Sequence, residues 1–93
     1  MKEEILFDLD VLLGNWESVN LNPTIMINKN KDSHLLSIIH VSETSLQAQP
    51  ATHEILSDEI SYYIFSNLKR VGISYDKKSD LLTLSTLGDY MRN

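Results

Sequence analysis

Every connection between the β-rich runs of this sequence is short, and that limits the fold more than any other feature. From Trp16 onward, runs rich in Ile, Val, Tyr, Thr and Leu alternate with polar or turn-forming residues. Such runs read as strands, and the pattern predicts them at 15–20, 24–29, 34–42, 51–57, 60–66, 69–76 and 80–86. A crossover between parallel strands needs about a dozen residues or more, usually a helix. The connections at 20–23, 30–33, 43–50, 57–59, 67–68 and 76–79 offer nothing of that length. An antiparallel, up-and-down meander follows. About seven to eight strands spaced roughly ten residues apart point to a small all-β barrel.

Ahead of the first strand, Ile5, Leu6, Leu9, Leu12 and Leu13 fall near helical spacing among Glu3, Glu4, Asp8 and Asp10. This predicts a short amphipathic helix within residues 1–13, stopped by Gly14. The chain then reads as one domain over 1–93, with the helix at 1–13 and the meander at 14–93. At 93 residues the core is modest, and 42% hydrophobic with 23% charged residues suits a folded chain. Leu35-Leu36-Ser37-Ile38-Ile39 and Tyr62-Tyr63-Ile64-Phe65 are apolar on both faces. One face can line the barrel; the other must be covered or left as exposed apolar surface. Gly72, inside a strand, predicts a bulge or a sharp bend.

The composition removes several functions. With no cysteine there are no disulfides, thiolate metal sites or cysteine nucleophiles. Eight basic against 13 acidic residues give a net charge of −5, which weighs against nucleic acid and anionic membranes. No apolar run approaches the roughly 18 residues that span a bilayer, and Asp8 and Asp10 interrupt any secretory h-region. A cytoplasmic protein without a membrane partner is expected. Gly14, Gly72 and Gly88 lie too far apart to cradle a phosphate.

Candidate chemistry is sparse. A symmetric loop between strands 34–42 and 51–57 would set His40 opposite His53, with Glu17 or Glu54 as an oxygen donor. No third ligand has diagnostic spacing, so His34, His40 and His53 read as locally bonded strand residues, and no metal or cofactor is expected. Asp76 and Asp80 bracket Lys77-Lys78, where turn chemistry explains them better than acid–base catalysis. Tyr62, Tyr63, Tyr75 and Phe65 beside Lys69-Arg70 could stack on bases, but a cross-strand ladder is the preferred reading. No Ser-His-Asp set is defined by sequence, since a triad is recognised by geometry. The chain is not expected to be an enzyme.

In a meander the turns alternate between the two barrel ends. Turns 30–33, 57–59 and 76–79 share an end with the helix and carry mixed charge. Turns 20–23, 43–50 and 67–68 share the other end, which is mostly uncharged. A pocket would open there, and Pro23 and Leu46, with Tyr62 and Tyr63, are candidates for its mouth or for an interaction surface.

One ordered set of segments resembles a known family. The segments are Leu13-Gly14-Asn15-Trp16-Glu17-Ser18, Asn22-Pro23-Thr24-Ile25-Met26-Ile27, Arg70-Val71-Gly72-Ile73-Ser74-Tyr75-Asp76, Asp80-Leu81-Leu82-Thr83-Leu84-Ser85 and Gly88-Asp89-Tyr90-Met91-Arg92. A short helix, then Gly-x-Trp on the first strand, then a meander resembles the lipocalin superfamily. More closely, the chain resembles a small uncharacterised lipocalin-like family of Bacteroidales proteins, often found near mobile genetic elements. In lipocalins the tryptophan packs across the closed end of the barrel, with an arginine from a late strand over it. The resemblance therefore implies a structural motif of Gly14, Trp16 and Arg92, with Arg70 the second choice of arginine. It implies a fold more than an activity, and the chain is far shorter than lipocalins that hold large hydrophobic ligands. Two functions are expected from this reading. The first is a non-catalytic interaction module that contacts a protein partner, or a second copy, through an exposed sheet face or edge. The second is a barrel that binds a small apolar ligand.

Overall fold

The computed structural model describes residues 7–41, 44–45 and 47–92. Nine strands form one antiparallel sheet: β1 (Gly14–Ser18), β2 (Thr24–Asn30), β3 (Ser33–Val41), β4 (Ala48–Glu54), β5 (Leu56–Ser57), β6 (Tyr62–Ser66), β7 (Lys69–Asp76), β8 (Leu81–Leu84) and β9 (Gly88–Arg92). Their order across the sheet is β4-β3-β2-β1-β9-β8-β7-β6-β5. β1 pairs with both β2 and β9, so the first and last strands join. At the other seam β4 pairs with β3, while β5 pairs with β6. Only Ile55 separates β4 from β5 along the chain. One length of chain thus changes partners midway, and the sheet curls into a nearly closed barrel.

The handover at Ile55 is tight on both sides. The Ile55 N–H donates to the His34 carbonyl at 2.8 Å, and the Asp58 N–H donates to the Ser61 carbonyl at 3.0 Å. Along β4, residues 50, 52 and 54 alternate with that bonded position. Their backbone groups therefore face away from β3, toward the seam. Pro50 has no N–H to leave unpaired there, which suits an edge position.

The interior follows period-two alternation. Trp16, Ile25, Leu36, Ile64, Leu82 and Tyr90 are fully buried, each from a different strand. Leu9 and Leu12 plug one end, from a 3-10 helix at Leu9–Leu12 capped by the Asp8 side chain. With three residues per turn, positions three apart fall on one face, so both leucines point inward. This corrects the expected N-terminal helix: within the described residues the segment makes one 3-10 turn, and residues 1–6 of that prediction lie outside them.

Three further expectations change. The strand expected at 51–57 begins at Ala48 and breaks at Ile55. The run at 80–86 ends at Leu84, and a ninth strand, Gly88–Arg92, follows. Glycine and aspartate are depleted in strands, so local pattern gives little sign of one starting at Gly88. Gly88 has φ +87°, and a Cβ there would stand 2.9 Å from Asn20 Nδ2, so glycine is needed at its start. Gly72 makes no bulge, because the β6–β7 register runs through the Tyr63–Gly72 pair without a break.

Arg92 fastens the plugged end. It sits directly across from Trp16 in the β1–β9 pairing. The Val19 N–H donates to the Asp89 carbonyl at 3.0 Å, which makes 16–92 a non-hydrogen-bonded pair, the kind with closer side chains. The guanidinium lies 4.1 Å from the Trp16 ring centroid. It donates to the Leu13 and Val11 carbonyls at 3.0 and 2.7 Å, and through Nε and Nη2 to both Asp80 oxygens at 3.1 Å. Trp16 Nε1 donates to the Leu12 carbonyl at 2.8 Å, and the Tyr75 hydroxyl donates to Asp80 at 2.7 Å. Gly14, at φ +124°, passes beneath the guanidinium. Replacing Trp16 with alanine removes the largest buried side chain and should cost about 3–5 kcal/mol in chemical denaturation.

Three carboxylates are held in the charged form. The Arg92 guanidinium keeps Asp80 below the usual carboxylate range. His34, then Lys29, does the same for Asp10, and Arg70 with two backbone N–H groups does so for Asp58. A folded-state pKa below the unfolded one contributes stability above about pH 4, lost as pH falls through the lowered values. The melting temperature should therefore fall steadily from about pH 5 toward pH 2. Asp80→Asn should lower it at neutral pH and flatten part of that acid decline.

Candidate functional site

The plugged end holds the turns at 31–32, 58–61 and 77–80; the open end holds the loops at 19–23, 67–68 and 85–87, and the connection from β3 to β4 leaves from it at Val41. Two leucines project from the open end. Leu21 is 99% exposed and Leu68 is 100% exposed. Both have left-handed backbone, with φ of 62° and 64°. Asn67 also has positive φ, so Asn67-Leu68 forms the two-residue hairpin turn that asparagine–glycine normally makes. A leucine in that conformation costs roughly 1–2 kcal/mol and gains no contact in return.

The loop carrying Leu21 is firmly held. Ser18 Oγ accepts from the Asn20 and Asn22 N–H groups at 2.9 and 3.0 Å. The Asn22 side chain donates to the Leu87 carbonyl, and the Tyr90 hydroxyl donates to the Pro23 carbonyl at 2.8 Å. Burial pushes the Tyr90 hydroxyl pKa up, which keeps it a donor. Below these loops lies a cleft of about 300 Å³, with Pro23, Ile38, Val71 and Leu87 as its apolar lining and His40 and Lys69 as polar members. Val19 and Val41, 48% and 60% exposed, belong to the same end.

Carboxylates are concentrated at the plugged end. The loops at 19–23, 67–68 and 85–87 bear none; Lys69 lines the cleft, and next to this end the Asp89 carboxylate accepts from the Thr83 hydroxyl. Asp8, Asp10, Asp32, Asp58, Glu59, Asp76 and Asp80 all belong to the plugged end.

A second surface lies on the outer face of β6 and β7. Arg70 stacks 3.8 Å over the Tyr63 ring and is fixed by Asp58 and Ser61. Phe65, 52% exposed and directly across from Arg70, meets Tyr63 edge-on at 5.4 Å.

The structure separates residues that the sequence reading grouped. Pro23 is at the open-end cleft and Tyr63 is on the outer face, while Tyr62 is at the plugged end and donates to the Phe7 carbonyl at 2.6 Å. Leu46 lies outside the described residues. Gly14, Trp16 and Arg92 come together as described above, whereas Arg70 faces outward. Tyr75 packs edge-on to Trp16 at 6.3 Å. His40 faces Gln49 and His53 faces Leu36, so the expected histidine pair does not form. The connecting loop is shorter than the symmetric one assumed, because β4 starts at Ala48. His34 bonds Asp10 at 2.7 Å, and the buried His53 Nε2 has no hydrogen-bond partner among the described residues. Glu54 accepts from Ser33, and Asp76 accepts from the Lys78 N–H and the Ser79 hydroxyl as a turn residue. Among the described residues no three His, Asp or Glu side chains could hold a metal ion, and no helix is long and apolar enough to cross a membrane.

Leu21 and Leu68 escaped the sequence reading. Their signal was present: Asn-Leu-Asn-Pro and Asn-Leu place a leucine where turns prefer glycine or polar residues.

A family model described as a domain of unknown function, B. theta gene description (DUF3876), matches residues 1–92, and the chain belongs to that family. No curated protein and no solved structure matches it.

Because Leu68 strains its turn without packing, Leu68→Gly should leave the fold intact and hold or raise its stability by up to about 1 kcal/mol, read by urea denaturation. A core leucine would instead cost about 2–5 kcal/mol when removed.

Proposed function

We propose that this member of the DUF3876 family is a non-catalytic interaction module of lipocalin-like barrel form, which binds a protein partner on the outer face of β6 and β7. The observation that carries the reading is the fixed Tyr63–Phe65–Arg70 cluster. Aromatic residues and arginine dominate binding hot spots, and a side chain already held in place loses less entropy on binding. Arg70 is held on three sides, by Tyr63, Asp58 and Ser61, while Phe65 keeps half its surface in water. The filled interior supports the same reading, since fourteen hydrophobic side chains occupy the space a deep ligand would need. The stacking of Arg92 on Trp16 supports the lipocalin-like description.

A second reading, a small apolar ligand in the open-end cleft, draws support from its volume of about 300 Å³ and its apolar walls. That volume is at the bottom of the usual range for ligand sites.

The two readings separate by site-directed photo-crosslinking in cells of the protein's own host. A benzoylphenylalanine at position 65 should give one discrete protein adduct, and the same group at exposed position 77 should not. Phe65→Ala with Arg70→Ala should weaken partner capture about tenfold or more. Absence of an adduct at 65, together with a stoichiometric small molecule on the purified barrel in native mass spectrometry, would reverse the assignment.

A further inference from the structure

The open end has knobs and a hole on one surface. Leu21 and Leu68 stand free at its rim, and the cleft walled by Ile38, Val71 and Leu87 lies between the loops. A surface with both can be complementary to itself. In a two-fold pair each copy inserts its knob into the other's hole, and every contact is made twice. We propose that the occupant of this end is a second copy of the same chain, with a rim leucine of each copy, Leu68 foremost, seated in the cleft of its partner.

Three observations favour that occupant. The first is charge. Each chain carries −5 overall, so copies repel unless their acids are far apart. Joining open end to open end places the seven plugged-end carboxylates of each copy at opposite extremes of the pair. It brings together the uncharged loops 19–23, 67–68 and 85–87, with one carboxylate beside them, Asp89, held by the Thr83 hydroxyl. The second is strain without local gain. Two leucines hold left-handed backbone while almost fully exposed, on separate loops of one end, and strain of that kind is retained where a function needs it. The third is stiffness. The hydrogen bonds to Ser18, Leu87 and Pro23 fix the Leu21 loop, and the two-residue hairpin turn fixes Leu68, so little order is lost on pairing. The outer-face cluster of Tyr63, Phe65 and Arg70 stays clear, so the pair would present two copies of that surface.

The shorter dimensions of the molecule are 26 and 24 Å. A contact confined to one barrel end therefore buries on the order of 1,000 Å², the low limit for specific association, and the pair should be weak. Its charge dependence is distinctive. Lys69 of each copy and the overall negative charges repel, so salt should strengthen the pair by screening.

Sedimentation velocity of the full chain, from about 10 μM to about 1 mM, tests this. The expected result is a shift from one chain to two with rising concentration, moved to lower concentration by added sodium chloride. Leu68→Asp and Leu21→Asp together should weaken the pair at least tenfold. Aspartate accepts left-handed backbone better than leucine, so the fold should persist, as circular dichroism would register. Phe65→Ser should leave the pair intact. A chain that stays monomeric throughout would overturn the proposal, as would a dimer that survives both rim substitutions or is lost with Phe65→Ser. A monomer that instead co-sediments with phosphatidylcholine vesicles would overturn it too, and would give the leucines to a lipid surface.

Discussion

The Arg92 guanidinium joins the two ends of the described chain. It covers the Trp16 ring, takes up two backbone carbonyls of the N-terminal turn and pairs with Asp80. Those partners lie some eighty residues away in sequence on one side and twelve on the other. A planar, fixed fork of donors can do this, whereas a lysine at the same position could neither stack flat nor reach both carboxylate oxygens. Trp16, Leu9 and Leu12 are buried at that end; Arg92 makes their burial specific to one closure of the sheet.

Closure has consequences at the far end. The N-terminal turn fills one mouth, and the interior is packed with hydrophobic side chains from seven of the nine strands. What is left for recognition is the outside and the unplugged mouth. A closed sheet also removes free edges, and the one seam left, beside β4, carries Pro50. Edge-to-edge pairing is thus disfavoured. The exposed apolar side chains are then the informative ones. Phe65 stands within an ordered aromatic–arginine cluster, and Leu21 and Leu68 stand on stiff turns.

The meander was legible because short connections leave no alternative to antiparallel neighbours. Uncertainty about the strand ends changed few neighbours. The Trp16–Arg92 contact came from resemblance, since nothing in local pattern links residues so far apart. Where the sequence misled, the cause was geometric. His40 and His53 were matched by assuming a symmetric loop, and a register depends on where the strand starts. The final strand opens on Gly88-Asp89, which locally spells a turn, and only pairing with β1 makes it a strand. The N-terminal leucines fit helical spacing, yet Asp8 caps a tighter turn that ends after four residues. Tyr62 and Tyr63 were grouped as neighbours in sequence, although successive strand residues face opposite sides.

Amide hydrogen exchange at the β1–β9 junction tests the closure most directly. The Val19 N–H, bonded to the Asp89 carbonyl across that junction, should exchange only through global unfolding, at the rate of the slowest amides in β2 and β3. Exchange of Val19 at the rate of a fraying chain end, while β2 and β3 stay protected, would mean that β9 does not close the barrel.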